Sequence, residues 1–343
     1  MIRKNIVAIG LAVSLAALAT ALLARPSGAA HRRFTFAYVT NDTGKERGSR
    51  AAARRLGIRY ILLDPNKGGP QGQIKRYRSL IASHADAIAP EGYDPALEPI
   101  FREIRKAGIL LVSSGDDIAA KRDLWVGPSD PGDHARALGD AIASQIDKKG
   151  EYAILEEPVC RPNVPRSCEF PSAHTLAKTV AASIRKAYPE MKLDGMLTET
   201  GGGGQTNVDS VKSFMAAHPN LKGLIGIDPT EAYMAAEAIT QAGRIGQVFS
   251  AGNFGDSLGD PQVVGYVRSG AAEEVIAGDP RKIGYLTVWG ANYLLTGHHF
   301  RPGAYQVGGP IGLVWYYAKH QELRLGQPLT ITKKNVDQYA HKS

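Results

Sequence analysis

Cysteine is almost missing: two residues in 343. That excludes a disulfide scaffold and a cysteine-rich metal module. Aromatic residues are 7% and charged residues 22%, beside 43% hydrophobic, which leaves an ordinary globular composition and excludes a fibrous or disordered chain. Past residue 24 no stretch is apolar for long enough to span a bilayer. Chemistry is also absent where it would show. There is no G-x-S-x-G elbow, no H-E-x-x-H, no C-x-x-C, no G-x-x-x-x-G-K-[ST] and no G-x-G-x-x-G turn after a strand. Charge of one sign is not in large excess either. The net +8 falls to +5 once Arg3, Lys4 and Arg25 are set aside with the leader, so nothing demands nucleic acid as a partner.

What is present begins with that leader. Arg3 and Lys4 precede 19 apolar or small residues, Ile6 to Ala24, and Arg25-Pro-Ser-Gly-Ala-Ala30 follows. A basic start, an apolar run and small residues at its end form a secretory signal peptide, with cleavage expected near Ala29 or Ala30. An uncleaved single-span anchor is the other reading of 19 such residues. The expected compartment is the periplasm. Glycine, 38 residues, runs above the usual ~7% and predicts many tight turns.

The mature chain alternates short apolar strands with amphipathic helices. Phe34–Val39, Ile58–Leu63, Ala85–Ala89 and Ile109–Ser113 read as strands; Glu46–Leu56, Gln71–Ser83 and Leu97–Ala107 read as helices between them. The rhythm restarts after Leu124–Gly127. Strands at Tyr152–Leu155, Leu193–Thr198, Leu221–Ile227 and Gln247–Ala251 alternate with helices at Asp130–Lys148, Ala173–Tyr188, Gln205–His218 and Thr230–Ala242. Such units bury parallel sheets under helices on both faces, and two successive runs predict two α/β domains. An eight-fold barrel is the other arrangement, and the irregular spacing near Trp125 and the strand-poor tail speak against it. Beyond Gly252, Pro261–Ser269, Glu273–Ala277 and a helix at Arg281–Leu295 complete a sheet. A Gly- and aromatic-rich stretch then reaches Tyr317, before Leu329–Thr332 and a last short helix from Lys333.

Cys160 and Cys168 share one Pro-rich loop, and in an oxidising compartment they are expected to pair. A loop this short contributes about 3 kcal/mol at most. Gly201–Gly204 before a helix reads as an anion cradle or as a plain turn; His298-His299 reads as a solvated pair rather than a metal site. In open α/β sheets, ligands bind outside the carboxyl ends of the strands. There this chain places Asn41, Asp42, Glu91, Tyr93 and Asp116 in its first half. Its second half places Glu157, Phe170, Asp228, Asn253 and Asp256 there, and Asp279 follows a later strand. Carboxylates and amides beside aromatic faces (Tyr93, Trp125, Phe170, Phe254) suit a neutral polyhydroxylated ligand. Asp130, Asp228 and Ser172 also stand where helix caps would.

Six stretches follow one another in a distinctive order: Gly72-Gln-Ile74 through Ala85-Asp-Ala-Ile88, Tyr93-Asp-Pro-Ala96, Ala107-Gly-Ile-Leu-Leu-Val-Ser-Ser-Gly-Asp116, Asp228-Pro-Thr-Glu-Ala-Tyr-Met-Ala-Ala-Glu-Ala238, Ala251-Gly252 and Leu329-Thr-Ile-Thr-Lys-Lys-Asn-Val-Asp337. In their order and spacing the chain resembles the type I periplasmic solute-binding proteins of ABC sugar importers, most nearly the branch with the autoinducer-2 and rhamnose binding proteins. The likeness implies two three-layer α/β/α domains joined by a three-strand hinge around a ligand cleft. The implied boundaries are 34–124 plus 253–298 and 127–250 plus 303–343. It places Asn41 at the first cleft loop, Asp116 and Asp228 as hydroxyl acceptors from opposite domains, and Asp256 at the cleft roof. The Pro-rich cysteine loop and Gly201–Gly204 depart from the pattern.

The expected function is therefore a non-enzymatic receptor for a small neutral sugar or polyol, acting as a monomer and delivering its ligand to an inner-membrane ABC permease. It needs no cofactor and no metal. An exported enzyme using Asp116 and Asp228 as acid and base, or a sensory partner of a membrane receptor, are the alternatives.

Overall fold

A computed structural model describes residues 33–90, 95–114, 118, 122–157, 172–199, 204–254 and 260–340. The leader, Glu91, Tyr93, Asp116, Phe170 and Asp256 lie outside these residues. So do Cys160 and Cys168; among the described residues there is no disulfide. No helix among the described residues is long and apolar enough to cross a membrane.

In β1 (Thr35–Val39), Phe36 and Tyr38 enter one hydrophobic cluster while Ala37 and Val39 enter another. Successive side chains point to opposite faces, so a strand apolar at every position is covered on both. α1 (Thr43–Leu56) starts where Asp42 Oδ1 accepts the Lys45 N–H at 2.9 Å and stops at Gly57, whose φ of 69° favours a residue without Cβ. The pattern continues through β2 (Arg59–Leu63), α2 (Gly69–Ala82), β3 (Ala87–Pro90), α3 (Glu98–Lys106), β4 (Leu110–Ser114) and β5 (Leu124–Gly127). β1 pairs in parallel with β2 on one side and β3 on the other, and β4 and β5 extend the sheet beyond β3.

The second sheet repeats that order. α4 (Pro131–Gln145), β6 (Gly150–Glu156), α5 (Ser172–Ala187), β7 (Met191–Thr198), α6 (Gln205–Ala217), β8 (Leu221–Gly226), α7 (Pro229–Gln241), β9 (Phe249–Gly252), α8 (Pro261–Ser269) and β10 (Glu274–Ala277) follow in sequence. β6 lies between β7 and β8, with β9 and β10 beyond, all parallel. Tyr152 and Ile154 of β6 face one cluster and Ala153 and Leu155 the other. Two doubly wound sheets with the same strand order thus stand in one chain.

The remaining segments cross back and forth. α9 (Pro280–Leu295) packs Ile283, Leu286 and Val288 into the first sheet's core with Phe36, Val112 and Leu124. It crosses α1 where Gly48 and Gly284 lie; a Cβ on either would overlap the Arg281 or Lys45 carbonyl. β11 (Gly303–Val307), β12 (Gly312–Tyr317) and β13 (Glu322–Arg324) join the first sheet beside β5, the first two as an antiparallel hairpin at its edge. β14 (Leu329–Ile331) returns to the second sheet, antiparallel to β10. The chain passes between the sheets three times, near Pro128, Gly278 and Gly326.

Only the first passage falls where the implied boundaries put it. Residues 261–277 belong with the second sheet and 303–324 with the first. The apolar pattern identifies Glu274–Ala277 as a buried strand, but the sheet each segment joins is chosen by packing that no local periodicity encodes. The Lys333 helix is a short 3₁₀ turn, Val336–Gln338.

Candidate functional site

Each sheet reverses its winding between two strands, and the crevice at such a switch point, outside the carboxyl ends, is where open α/β sheets bind ligands. In the first sheet the switch lies between β1 and β3, and Thr40, Asn41 and Asp42 leave β1 there. Asn41 is exposed. Asp42 caps α1 through Oδ1, and its backbone N–H donates to Thr40 Oγ1 at 3.0 Å. Lys45, on the first turn of α1, is buried in this region, a placement the sequence did not suggest. Below the rim the Tyr38 hydroxyl bonds Ser114 Oγ at 2.6 Å, tying β1 to β4.

In the second sheet the switch lies between β6 and β8. Carboxylate oxygens of Glu157, which follows β6, and of Asp228 and Glu231, which follow β8, all lie within 4.8 Å of one another. The local sequence explains how. Among the described residues four helices open on an Asp-Pro step, and at three of them the aspartate accepts a backbone N–H of the first turn: Asp130, Asp260 and Asp279. Asp228, at φ −121° and ψ 171°, makes no such capping bond, and its carboxylate joins the cluster instead. Glu231 is brought in by close docking of α7. Gly226 ends β8 and Gly252 ends β9. A Cβ on Gly226 would overlap the Ala232 backbone, and one on Gly252 would meet Ala232 Cβ at 2.6 Å. The first turn of α7 can therefore sit directly on the strand ends, with Glu231 completely buried.

Two further acidic groups stand at the same edge. Glu156, the last residue of β6, is buried with its Oε2 2.8 Å from His174 Nδ1, which anchors the start of α5. Glu199, just past β7, is buried and donates its N–H to the Glu156 carbonyl. The edge is thus rich in acceptors. Three carboxylates so close repel one another unless hydrogen-bond donors or a cation lie between them. Their oxygens suit the hydroxyl hydrogens of a polyol, and equally the oxygen shell of one hard divalent cation.

Other candidates fall elsewhere. Asn253 follows β9, one strand from the switch, and its N–H donates to the Gly226 carbonyl. Phe254 is buried against Tyr233, ring centroids 5.3 Å apart, so it offers no face to a ligand. Trp125 is 9% exposed, with the Arg324 guanidinium over its ring at 4.8 Å. Asp279 caps α9, accepting from the Arg281 and Lys282 N–H groups. His298 is stacked on Tyr293 at 4.6 Å and bonds Thr296 Oγ1; Gly204 opens α6, and Gly201–Gly203 lie outside the described residues. Glu231 escaped the sequence reading because it sits inside a helix; its spacing three residues after Asp228 was the available signal.

Two doubly wound lobes joined by three crossings, with polar groups at each switch point, define a bilobed binding protein. A family model described as a periplasmic binding protein domain matches residues 39–299. No curated protein matches the chain. Among solved structures, a sugar ABC transporter from Actinomyces odontolyticus is similar at a TM-score of 0.71 and 20% identity, covering 90% of this chain and 97% of its own. AraP, an arabinose binding protein from Geobacillus stearothermophilus, reaches 0.70 at 15% identity and 90% and 100% coverage. An ABC transporter solute binding protein from Clostridium phytofermentas with bound L-rhamnose reaches 0.64 at 20% and 90% and 98%. The chain belongs to the periplasmic binding protein family. It is a periplasmic solute-binding protein with a non-enzymatic role.

Proposed function

We propose that this protein is the sugar receptor of an ABC importer, holding one neutral polyhydroxylated ligand between the switch points of its two lobes and presenting it, as a monomer, to an inner-membrane permease. The observation that carries the reading is the carboxylate cluster of Glu157, Asp228 and Glu231 at the second switch point. A sugar supplies several hydroxyl donors within a few ångströms, which matches a group of acceptors better than a single charge would. Asn41 and Asp42 stand at the first switch point, and Asp116 joins them by the family likeness. The proteins of similar fold support the ligand class: their bound molecules include D-arabinose, L-rhamnose, D-tagatopyranose and D-allose.

The finer likeness, to the autoinducer-2 and rhamnose branch, rests on the stretches at 72–116, 228–238 and 329–337 and puts 6-deoxy sugars among the compounds to try. A thermal-shift screen of pentoses, hexoses, 6-deoxyhexoses and polyols, with and without a chelator, tests the reading. At least one neutral sugar should raise the melting temperature with or without chelator. Stabilisation by divalent cations or anions alone would overturn it.

A further inference from the structure

The three crossings between the lobes converge on one cavity. Ser129 lines it from the first crossing, Gly278 and Asp279 from the second, and Gly326, Gln327 and Pro328 from the third. Its volume is about 530 Å³, within the range of small-molecule sites. None of Asp42, Glu157, Asp228 and Glu231 lines it.

One wall is apolar. β12 directs Leu313 and Trp315 to the cavity, and Leu325 and Leu329 continue the surface. Leu313 and Trp315 are 43% and 38% exposed, and they alternate with buried Val314, so both lie on the outward face of the strand. Scattered exposed apolar residues are ordinary; adjacent ones on the wall of a cavity mark a binding surface. The opposite side is polar. Asp279 and Lys282 supply one charge of each sign, so the cavity favours no net charge. Ser129 is 3% exposed, and its hydroxyl is buried without a hydrogen-bond partner, although its carbonyl accepts from Arg324 at 3.3 Å. A buried hydroxyl in this condition is costly and is satisfied by a group that reaches it.

We propose that this cavity is a second ligand site, for a small neutral aromatic or heteroaromatic molecule with one hydrogen-bonding group, and that its occupancy biases the hinge. The ring lies against Trp315 and Leu313, and the polar group engages Ser129 and Gln327. Closure of the lobes must turn the backbone at all three crossings, and an occupant touches all three. A molecule that fits one hinge angle better than another shifts the equilibrium by that difference in affinity. The hinge bias rests on the receptor reading above, whereas binding in the cavity does not.

The test uses the full mature chain with indole and p-cresol as probes. Methyl NMR titration should give saturable shifts at Ile311, Leu313, Leu325 and Leu329. Trp315→Ala should weaken binding at least fivefold with an unchanged melting temperature, as its side chain is exposed; Ser129→Ala should weaken p-cresol more than toluene. Shifts that never saturate, or that are equal in Trp315→Ala, overturn the site. The hinge bias is read by pulsed EPR between spin-labelled unnatural residues at exposed Arg54 and Arg185, one on each lobe. Saturating indole should move or narrow the distance distribution. An unchanged distribution overturns the bias and leaves the site standing. If no sugar binds the protein, the receptor reading fails while both measurements still decide the cavity.

Discussion

Asp228 shows how one residue is released for a task. Its Asp-Pro step is the same helix-opening device used at Asp130, Asp260 and Asp279, yet it alone of the four leaves the cap unfilled. Asp228→Ala should weaken sugar binding by about 2 kcal/mol, the loss of an acceptor for a desolvated hydroxyl, and, since no helix-capping bond is lost, leave the free protein's melting temperature nearly unchanged. Calorimetry and thermal denaturation of the variant check both halves. His134, near the start of α4, behaves differently. Burial pushes its imidazole down to about 4 from an ordinary 6.5. Between those values the unfolded chain binds more protons than the native one, so stability is complete above pH 6.5 and declines as pH falls toward 4. The contribution is at most about 3 kcal/mol. His134→Gln should flatten that part of the curve, which denaturant unfolding at a series of pH values measures. An unaltered slope would mean that other groups set the acid limit.

At the level of elements, the central strands were legible because β1, β3, β5 and β6 are apolar on both faces, and α1, α4, α8 and α9 because each carries its capping aspartate in the sequence; the largely exposed β11–β12 hairpin has neither signal. The site was legible only in part. Strand ends are visible in a pattern, so Asn41, Asp42, Glu157 and Asp228 stood out. Which strand ends adjoin depends on sheet order, so the grouping of Glu157 with Asp228, and the arrival of Glu231 from within α7, were not readable. Phe254 looked available for the same reason: its exposure is decided by Tyr233 and α8, far from it in pattern. The seating of α7 on Gly226 and Gly252 gives a direct check. Gly226→Ala should cost about 1–3 kcal/mol, since the helix must lift off the strand end, and should weaken ligand binding with it. Gly265, exposed inside α8 with no neighbour near an added Cβ, is the matched control. Gly265→Ala should be neutral or stabilise by about 0.5–1 kcal/mol. Equal losses at both positions would show that the close approach at Gly226 does not matter.

For the whole molecule, the repeated strand order is the organising fact. Both sheets place their second strand outside their first and wind the other way beyond it, so each presents one crevice at its carboxyl edge, and the three crossings join the lobes through short segments. The family likeness implied three crossings with the second near 250–253 and the third near 298–303; in the structure they fall near Gly278 and Gly326, because α9 and the β11–β13 strands return to the first lobe after a long excursion in the second. A receptor of this plan works when one ligand engages both lobes and favours the closed form by its differential affinity. The most direct measurement is a calorimetric titration of the mature protein with the sugars that raise its melting temperature, alongside Asp228→Ala. The account predicts saturable binding of a neutral sugar at one site per chain, at micromolar or lower concentration, with the sugar recovered unchanged and the affinity falling roughly thirtyfold in the variant. Binding of no neutral sugar, conversion of the bound sugar to product, or full affinity in Asp228→Ala would contradict it.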